Sequence, residues 1–238
     1  MNPALAPVSI VFGTALSYVA GALIGVPALV PILNVVPAFP FMIDSLGHQR
    51  VGEAVGRMLV WAAALAACAT TASYLAPVET GRLFIHADAY RREMFLFVLT
   101  GHGAEGDIRQ FLPQHAAHAA MFCGLALATG GALAMPLGAM LMNYMGHYVG
   151  ALGVASVHPW RALALAWVPW SLVRIASFVT LGVVLGGPVL ARAFGFGYRL
   201  SEQRRWILLA AAGLLVDVLL KWALAPSWRL LIKSAAGW

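Results

Sequence analysis

Long apolar runs separated by short polar segments make up most of this sequence. Two of the runs, residues 8–43 and 116–157, contain no Asp, Glu, Lys or Arg. A helix needs about 20 predominantly apolar residues to cross the roughly 30 Å hydrocarbon core of a bilayer. The pattern therefore predicts an all-α, polytopic transmembrane helical bundle with spans at about 8–30, 58–77, 117–134, 137–156, 162–187 and 206–226.

The number of spans depends on how the run 116–157 is divided. As one helix it would be about 60 Å long at 1.5 Å per residue, which is twice the hydrocarbon thickness. Gly130, Gly131 and Pro136 mark a break, so two antiparallel segments and six spans are preferred. The distribution of Lys and Arg among the loops favours five, and the prediction is five to six. Residues 1–238 form a single integral membrane domain without repeat or linker.

The longest polar region, residues 78–114, predicts an element that does not cross the membrane. Tyr90, Met94 and Phe97 recur there at helical spacing, whereas charged residues occupy other faces. This pattern is typical of a short amphipathic helix on the membrane surface, predicted over 82–100. An ordered loop outside the membrane is an equally good interpretation.

The composition excludes whole classes of protein. Apolar residues make up 61% of the chain and charged residues 10%, against about 45–50% and about 25% in a typical soluble domain. A soluble fold of this size could not hide so much apolar surface, so an ordinary soluble enzyme and a disordered chain are excluded. The net charge of +6 does not indicate nucleic-acid binding, because most basic residues lie between the apolar runs.

The positions of the basic residues predict an orientation. The most basic loop, 188–205, carries Arg192, Arg199, Arg204 and Arg205 against one acid. Because positively charged loops tend to remain in the cytoplasm, we expect this loop to be cytoplasmic. With six spans, both termini would then face the other side. The chain is expected to lie in a bacterial inner membrane or its equivalent.

Three charged residues at membrane depth are the sharpest candidates for a functional site. Arg174 and Asp217 lie near the middles of two consecutive predicted spans, which we expect to be antiparallel neighbours. An ionised residue at the bilayer centre costs about 2.5–3.5 kcal/mol on insertion scales, so the two are predicted to pair. Lys221, one turn from Asp217, can share the carboxylate or reach the interface. The pair belongs either to a substrate, ion or proton path or to a structural contact between helices.

Histidines form a second candidate site. His115 and His118 share a helical face, and a hairpin around 130–138 would bring His147 to a similar level. Neutral imidazoles from separate helices can bind a transition metal or haem, although histidines at span ends are often interfacial or hydrogen-bonded. The polar residues placed to support them are Asn143, His102 and Asp107.

No constellation of catalytic residues stands out. Gly101, Gly103 and Gly106 spell G-x-G-x-x-G, but a dinucleotide site needs a complete βαβ unit, for which the chain has no room. This segment is interpreted as a flexible loop. Ser171 and Ser177 are not part of a G-x-S-x-G nucleophile elbow. An enzyme is therefore the less favoured interpretation.

These observations favour transport. Broken segments at 27–40 and 130–138, together with charges at membrane depth, are features of transporter binding sites. The chain is predicted to be a small permease or permease subunit for an ion or small solute. The alternatives are a non-catalytic subunit or assembly factor of a larger membrane complex, and a membrane-embedded protein that binds a transition metal or haem.

The expected partners are the lipid bilayer and either further copies of the chain or other membrane subunits. Small-residue spacings such as Gly146/Gly150 predict close packing of helix backbones. The sequence does not identify a cofactor: none is the first expectation, and a transition metal or haem is the alternative that goes with the third interpretation. Nucleic acid is not an expected partner.

Overall fold

Helices account for the regular structure of the chain. The computed structural model describes residues 5–238, and within that range it contains α-helices and short 3-10 turns but no strands. The α-helices are α1 (Ala6–Ile24), α2 (Val30–Val35), α3 (Phe39–Gly47), α4 (Val51–Leu75), α5 (Pro77–Leu83), α6 (Ala87–Thr100), α7 (Ile108–Thr129), α8 (Ala134–Val154), α9 (Pro159–Ala166), α10 (Pro169–Phe194) and α11 (Arg204–Ala236).

Among the described residues, five segments are long and apolar enough to cross a membrane. This indicates an integral membrane protein and confirms the all-helical membrane class, although not six spans. The segments are Ala6–Ile24, Pro27–Gly47, Val51–Leu75, Pro169–Phe194 and Leu200–Ala236.

The first apolar run folds as a helical hairpin. α1 ends before Gly25, which adopts a φ of 70°, and prolines then occupy the first turns of the short helices that follow. Proline is tolerated there because no intrahelical hydrogen bond is lost. A side chain at Gly13 would collide with Pro37, so the returning segment packs closely on α1. The predicted span of 8–30 is therefore wrong beyond Ile24, and the second apolar segment was missed.

The run 116–157 divides into α7 and α8. Gly130 and Gly131 turn the chain with φ values of 64° and 88°, in the left-handed region that glycine adopts readily. Both helices are about 30 Å long at 1.5 Å per residue, but their polar residues keep them outside the five most apolar segments. Their observed bounds replace the predicted spans of 117–134 and 137–156.

The predicted ends of the last two spans are wrong. The predicted spans 162–187 and 206–226 stop at Pro188 and Pro226, but Pro188 lies inside α10 and Pro226 inside α11. A proline inside a helix costs about 3 kcal/mol. Packing offsets this cost, since Leu190 and Ile232 beyond the two prolines are buried. The predicted span 162–187 also combined α9 with the first part of α10.

The polar region folds as two helices that pack on the bundle. α4 begins at Val51, earlier than the predicted 58, and α5 follows it directly. The predicted helix of 82–100 is shorter, because the chain turns before Ala87. Met94 on α6 is buried against residues of α8 and α11, so the apolar face of α6 covers other helices.

The bundle has two distinct ends. At the basic end, defined by residues 47–51 and 192–205, the Gln49 side chain donates a hydrogen bond to the Gly197 carbonyl. At the opposite end, defined by residues 76–107 and 155–168, the short helices α5, α6 and α9 gather around α8. The last turn of α11 is held there, since the His158 N–H donates to the Ala235 carbonyl.

Candidate functional site

A buried ion pair joins α10 to α11. Nε and Nη2 of Arg174 donate to the two carboxylate oxygens of Asp217, each at 2.9 Å. The Asp217 side chain is fully buried, whereas 18% of the Arg174 side chain is exposed. Because two parallel hydrogen bonds fix the plane of a guanidinium, Asp217 sets the direction of Arg174. Arg174 lies in the second turn of α10 rather than at mid-span, since the helix begins at Pro169.

A second ion pair lies next to the first. Nζ of Lys221 is 2.8 Å from Oε1 of Glu105, and Nε1 of Trp170 donates to Oε2 at 3.3 Å. Burial raises the pKa of the Glu105 carboxyl, but the charges of Lys221 and Arg174 outweigh burial and lower the pKa overall. The four charged groups therefore form two neutralised pairs.

A glycine-rich turn carries Glu105 into the bundle. Gly101 and Gly103 have φ values of 83° and 109°, which other residues rarely adopt. A Cβ at Gly106 would collide with the carbonyl oxygen of Gly101. The G-x-G-x-x-G sequence thus shapes a tight turn that positions a carboxylate, a role that the interpretation as a flexible loop did not include.

The ring of Phe111 on α7 lies between the two cations. Nζ of Lys221 is 3.3 Å and Cζ of Arg174 is 5.0 Å from the ring centroid. His115 stacks on the same ring, and its Nε2 is 3.5 Å from Oδ2 of Asp217. Desolvated cation–π contacts contribute about 2 kcal/mol, so α7 supports both ion pairs.

Arg174, Glu105, Phe111 and His115 line the charged end of a cavity of about 230 Å³ inside the bundle, between α3, α4, α6, α7, α8 and α10. Arg174 and Glu105 reach its wall directly. Further polar residues at this end are Tyr90, Glu93, Gln114, His118 and Tyr144. Glu93 and His118 are exposed, which places them at the mouth.

The remainder of the cavity is apolar and rich in methionine. Five of the nine methionines in the chain line it: Met42, Met58, Met135, Met142 and Met145. Phe122 and Phe178 complete much of this wall. Methionine is flexible and polarisable, and it is over-used on surfaces that adapt to different ligands. The cavity is therefore amphipathic, with a fixed charged end and a deformable apolar part.

The structure divides the three histidines between two environments. His115 and His118 line the cavity. His147 is fully buried elsewhere, with Nδ1 3.2 Å from Oγ1 of Thr80 and Nε2 3.5 Å from a carboxylate oxygen of Asp88. Within residues 5–238, no group of three or more His, Cys, Asp or Glu side chains is arranged to hold a metal ion.

The other predicted supporting residues lie outside the cavity. Asn143 is buried and donates to the side-chain oxygen of Asn34 at 3.0 Å. Asp107 accepts a hydrogen bond from a backbone N–H and caps the start of α7. His102 is exposed in the loop before α7. Their contacts are local or structural.

Sequence reasoning missed Glu105, Phe111, Tyr90 and Tyr144. Glu105 lies in a polar loop, where burial leaves no mark on the sequence. The available signal was the charge imbalance inside the predicted spans. Arg174 and Lys221 carry two positive charges against the single acid Asp217, so a second acid is expected nearby. The aromatic residues carry no comparable signal, because apolar positions at helical spacing fit any packed surface.

Comparison with protein families, curated proteins and solved structures finds no match to this chain. The function is therefore argued from the site itself.

Proposed function

We propose that this chain is a small membrane permease, or the solute-binding subunit of one, and that its solute binds in the cavity beside Arg174. The observation that carries the proposal is the cavity itself, which joins a fixed charged end to a deformable apolar wall. A few convergent polar groups in a mostly apolar lining are the usual form of a small-molecule site. An ion pair that only joined two helices would not need an adjoining cavity.

The backbone around the cavity also supports transport. Trp167 and Val168 form a non-helical break directly before α10, whose second turn carries Arg174, and the turn at 101–107 carries Glu105. Transporters place their sites at interrupted helices, because the helix ends and the unwound backbone there bind the solute or the coupling ion. Each ion pair thus includes a residue in a break or within two turns of one.

We further propose that the chain lies in a bacterial inner membrane with its basic end in the cytoplasm. The arginines of 192–205 carry the argument, because such clusters are retained on the cytoplasmic side. The charged end of the cavity is then in the opposite half of the membrane, beside the loop that holds Glu105.

Uptake into liposomes tests the proposal. Purified protein is reconstituted, and uptake is measured for three labelled probes with short apolar tails: hexanesulfonate, hexyltrimethylammonium and leucine. None of the three loses its charge near neutral pH, so leakage across the lipid is slow. We expect at least one probe to enter about tenfold faster than in empty liposomes.

Two glycine variants show whether the cavity is the route. Gly138 lines the cavity, so Gly138→Leu would fill it and abolish uptake. Gly124 is exposed on α7 with open space around its Cβ position, so Gly124→Leu is the matched control and should transport normally. Equal uptake by these two variants, or no uptake of any probe by the wild type, would contradict the proposal.

A further inference from the structure

Hydrogen-bond donors without partners converge on the charged end of the cavity. Arg174 uses Nε and Nη2 to bind Asp217, and within residues 5–238 its Nη1 donates to no protein acceptor. The hydroxyls of Tyr90 and Tyr144 likewise have no hydrogen-bond partner among the described residues, and their rings lie 4.5 Å apart. All three side chains line the cavity. Donors that are open to a cavity and have no protein partner are free to bind a ligand or water there.

The acids near these donors are already engaged. Both oxygens of Asp217 accept from Arg174, and the two oxygens of Glu105 are held by Lys221 and Trp170. Glu93 is exposed at the mouth, where water solvates its charge. The inner end of the cavity therefore offers donors and little free acceptor capacity.

The geometry of Arg174 suits an oxyanion. With one edge fixed on Asp217, the guanidinium presents its remaining N–H groups in a set direction, and preorganised donors bind a charged acceptor at low entropic cost. The two tyrosine hydroxyls can donate to the same acceptor. Beyond them, methionine and phenylalanine side chains provide a surface for an apolar tail.

We propose that the solute is a small organic anion, with a singly charged oxyanion head such as a carboxylate or sulfonate on a short apolar tail. This inference rests on the proposed solute-binding function and specifies its ligand. The head accepts hydrogen bonds from Arg174, Tyr90 and Tyr144. The tail extends toward Met135 and Phe122.

Equilibrium binding to the purified protein in lipid nanodiscs tests the chemistry of the head. Hexanesulfonate, hexanoate, hexyltrimethylammonium and hexanol carry comparable tails and different heads, and binding to empty nanodiscs is subtracted. We expect the two anions to bind at least about tenfold more tightly than the alcohol and the cation, because charge-assisted hydrogen bonds are the strongest that the site offers.

Conservative variants identify the donors. Tyr144→Phe removes one hydroxyl and should weaken hexanesulfonate binding about tenfold, with little effect on hexanol. Tyr148→Phe is the matched control, since the Tyr148 hydroxyl is buried without a hydrogen-bond partner among the described residues and does not line the cavity. Its binding should stay within about twofold of the wild type. Arg174→Lys keeps the charge but loses the planar fork, and should weaken anion binding about tenfold.

A double variant guards against simple misfolding. Asp217→Asn alone would leave a buried guanidinium unpaired and destabilise the fold. Arg174→Gln with Asp217→Asn removes both charges together, and it should fold while losing the preference for anions. Retention of that preference in the folded double variant would overturn the assignment of Arg174.

The outcomes separate this inference from the proposed function. Equal or tighter binding of hexanol or hexyltrimethylammonium, sensitive to Gly138→Leu, would overturn the oxyanion head and leave solute binding intact. Absence of binding for all four probes, together with absence of uptake in liposomes, would overturn both proposals.

Discussion

The contact between Lys221 and Glu105 ties the middle of α11 to the turn before α7. Lys221 is 5% exposed and Glu105 12% exposed, so water screens the pair little. Replacing Glu105 with Gln leaves Lys221 without a counter-charge, and breaking a buried pair costs about 3 kcal/mol or more. We expect Glu105→Gln to lower the thermal unfolding midpoint at pH 7, measured on the detergent-solubilised protein.

The loss should depend on pH in a defined direction. Burial raises the pKa of the Glu105 carboxyl, but Lys221 and Arg174 lower it overall in the folded protein. The pair therefore contributes fully above the unfolded pKa of about 4.3 and loses its effect as the pH falls through the lower folded value. The difference between wild type and Glu105→Gln should therefore be smaller below about pH 4 than at about pH 5. Glu93→Gln, at an exposed acid, is the control, and a difference that grew in acid would contradict the assignment.

The same residues show how far sequence reasoning reaches at this scale. A charged residue inside an apolar run can be recognised from the sequence, because its neighbours are all apolar. Arg174, Asp217 and Lys221 were recognised in this way, and the structure brings them together. Glu105 is an ordinary acidic residue in a polar loop by sequence, so its contact with Lys221 can be recognised only once the fold is known. The histidines were grouped by helical spacing, which does not show that His147 turns toward Thr80 and Asp88 instead of the cavity.

At the scale of elements, the close contact of α4 with α8 depends on glycine. A Cβ on Gly150 would lie 2.6 Å from the carbonyl oxygen of Thr70, closer than such atoms can approach. Overpacking a tight interface costs about 1–3 kcal/mol, so Gly150→Ala should lower the unfolding midpoint. Gly56→Ala on α4 is the matched control, because its Cβ would point into open space and alanine favours helix by about 0.5–1 kcal/mol. Equal effects of the two substitutions would show that helix propensity, not packing, decides stability here.

The sequence predicted helix ends correctly where glycines turn the chain. The prediction was wrong where a proline was taken as the end of a helix. Gly130 and Gly131 mark the turn between α7 and α8 because their φ values are positive. Pro188 and Pro226 are tolerated inside helices, since residues beyond them remain buried. Proline restricts only the local backbone. A helix continues past it when the next turn can pack against other helices, and these packing partners cannot be read from the local sequence.

The whole molecule differs most from the sequence prediction in its first 47 residues. A single span there would place Leu5 and the loop after α10 on opposite sides of the membrane. In the structure, α1 and the returning segment Pro27–Gly47 are both apolar and lie side by side. Their hairpin brings the start of α1 to the basic end, together with Gln49 and Gly197.

This arrangement predicts which residues share a side of the membrane. In a background where Cys68 and Cys123 are replaced by alanine, single cysteines are placed at Leu5, Gly197 and His158, which are all exposed. A maleimide that cannot cross the membrane should label His158→Cys in intact cells, whereas Leu5→Cys and Gly197→Cys should react only after permeabilisation. The basic end holds the arginines that favour the cytoplasm, and α9 begins at the opposite end. Labelling of Leu5→Cys together with His158→Cys would mean that the hairpin does not cross the membrane twice, and the six-span arrangement would then replace it.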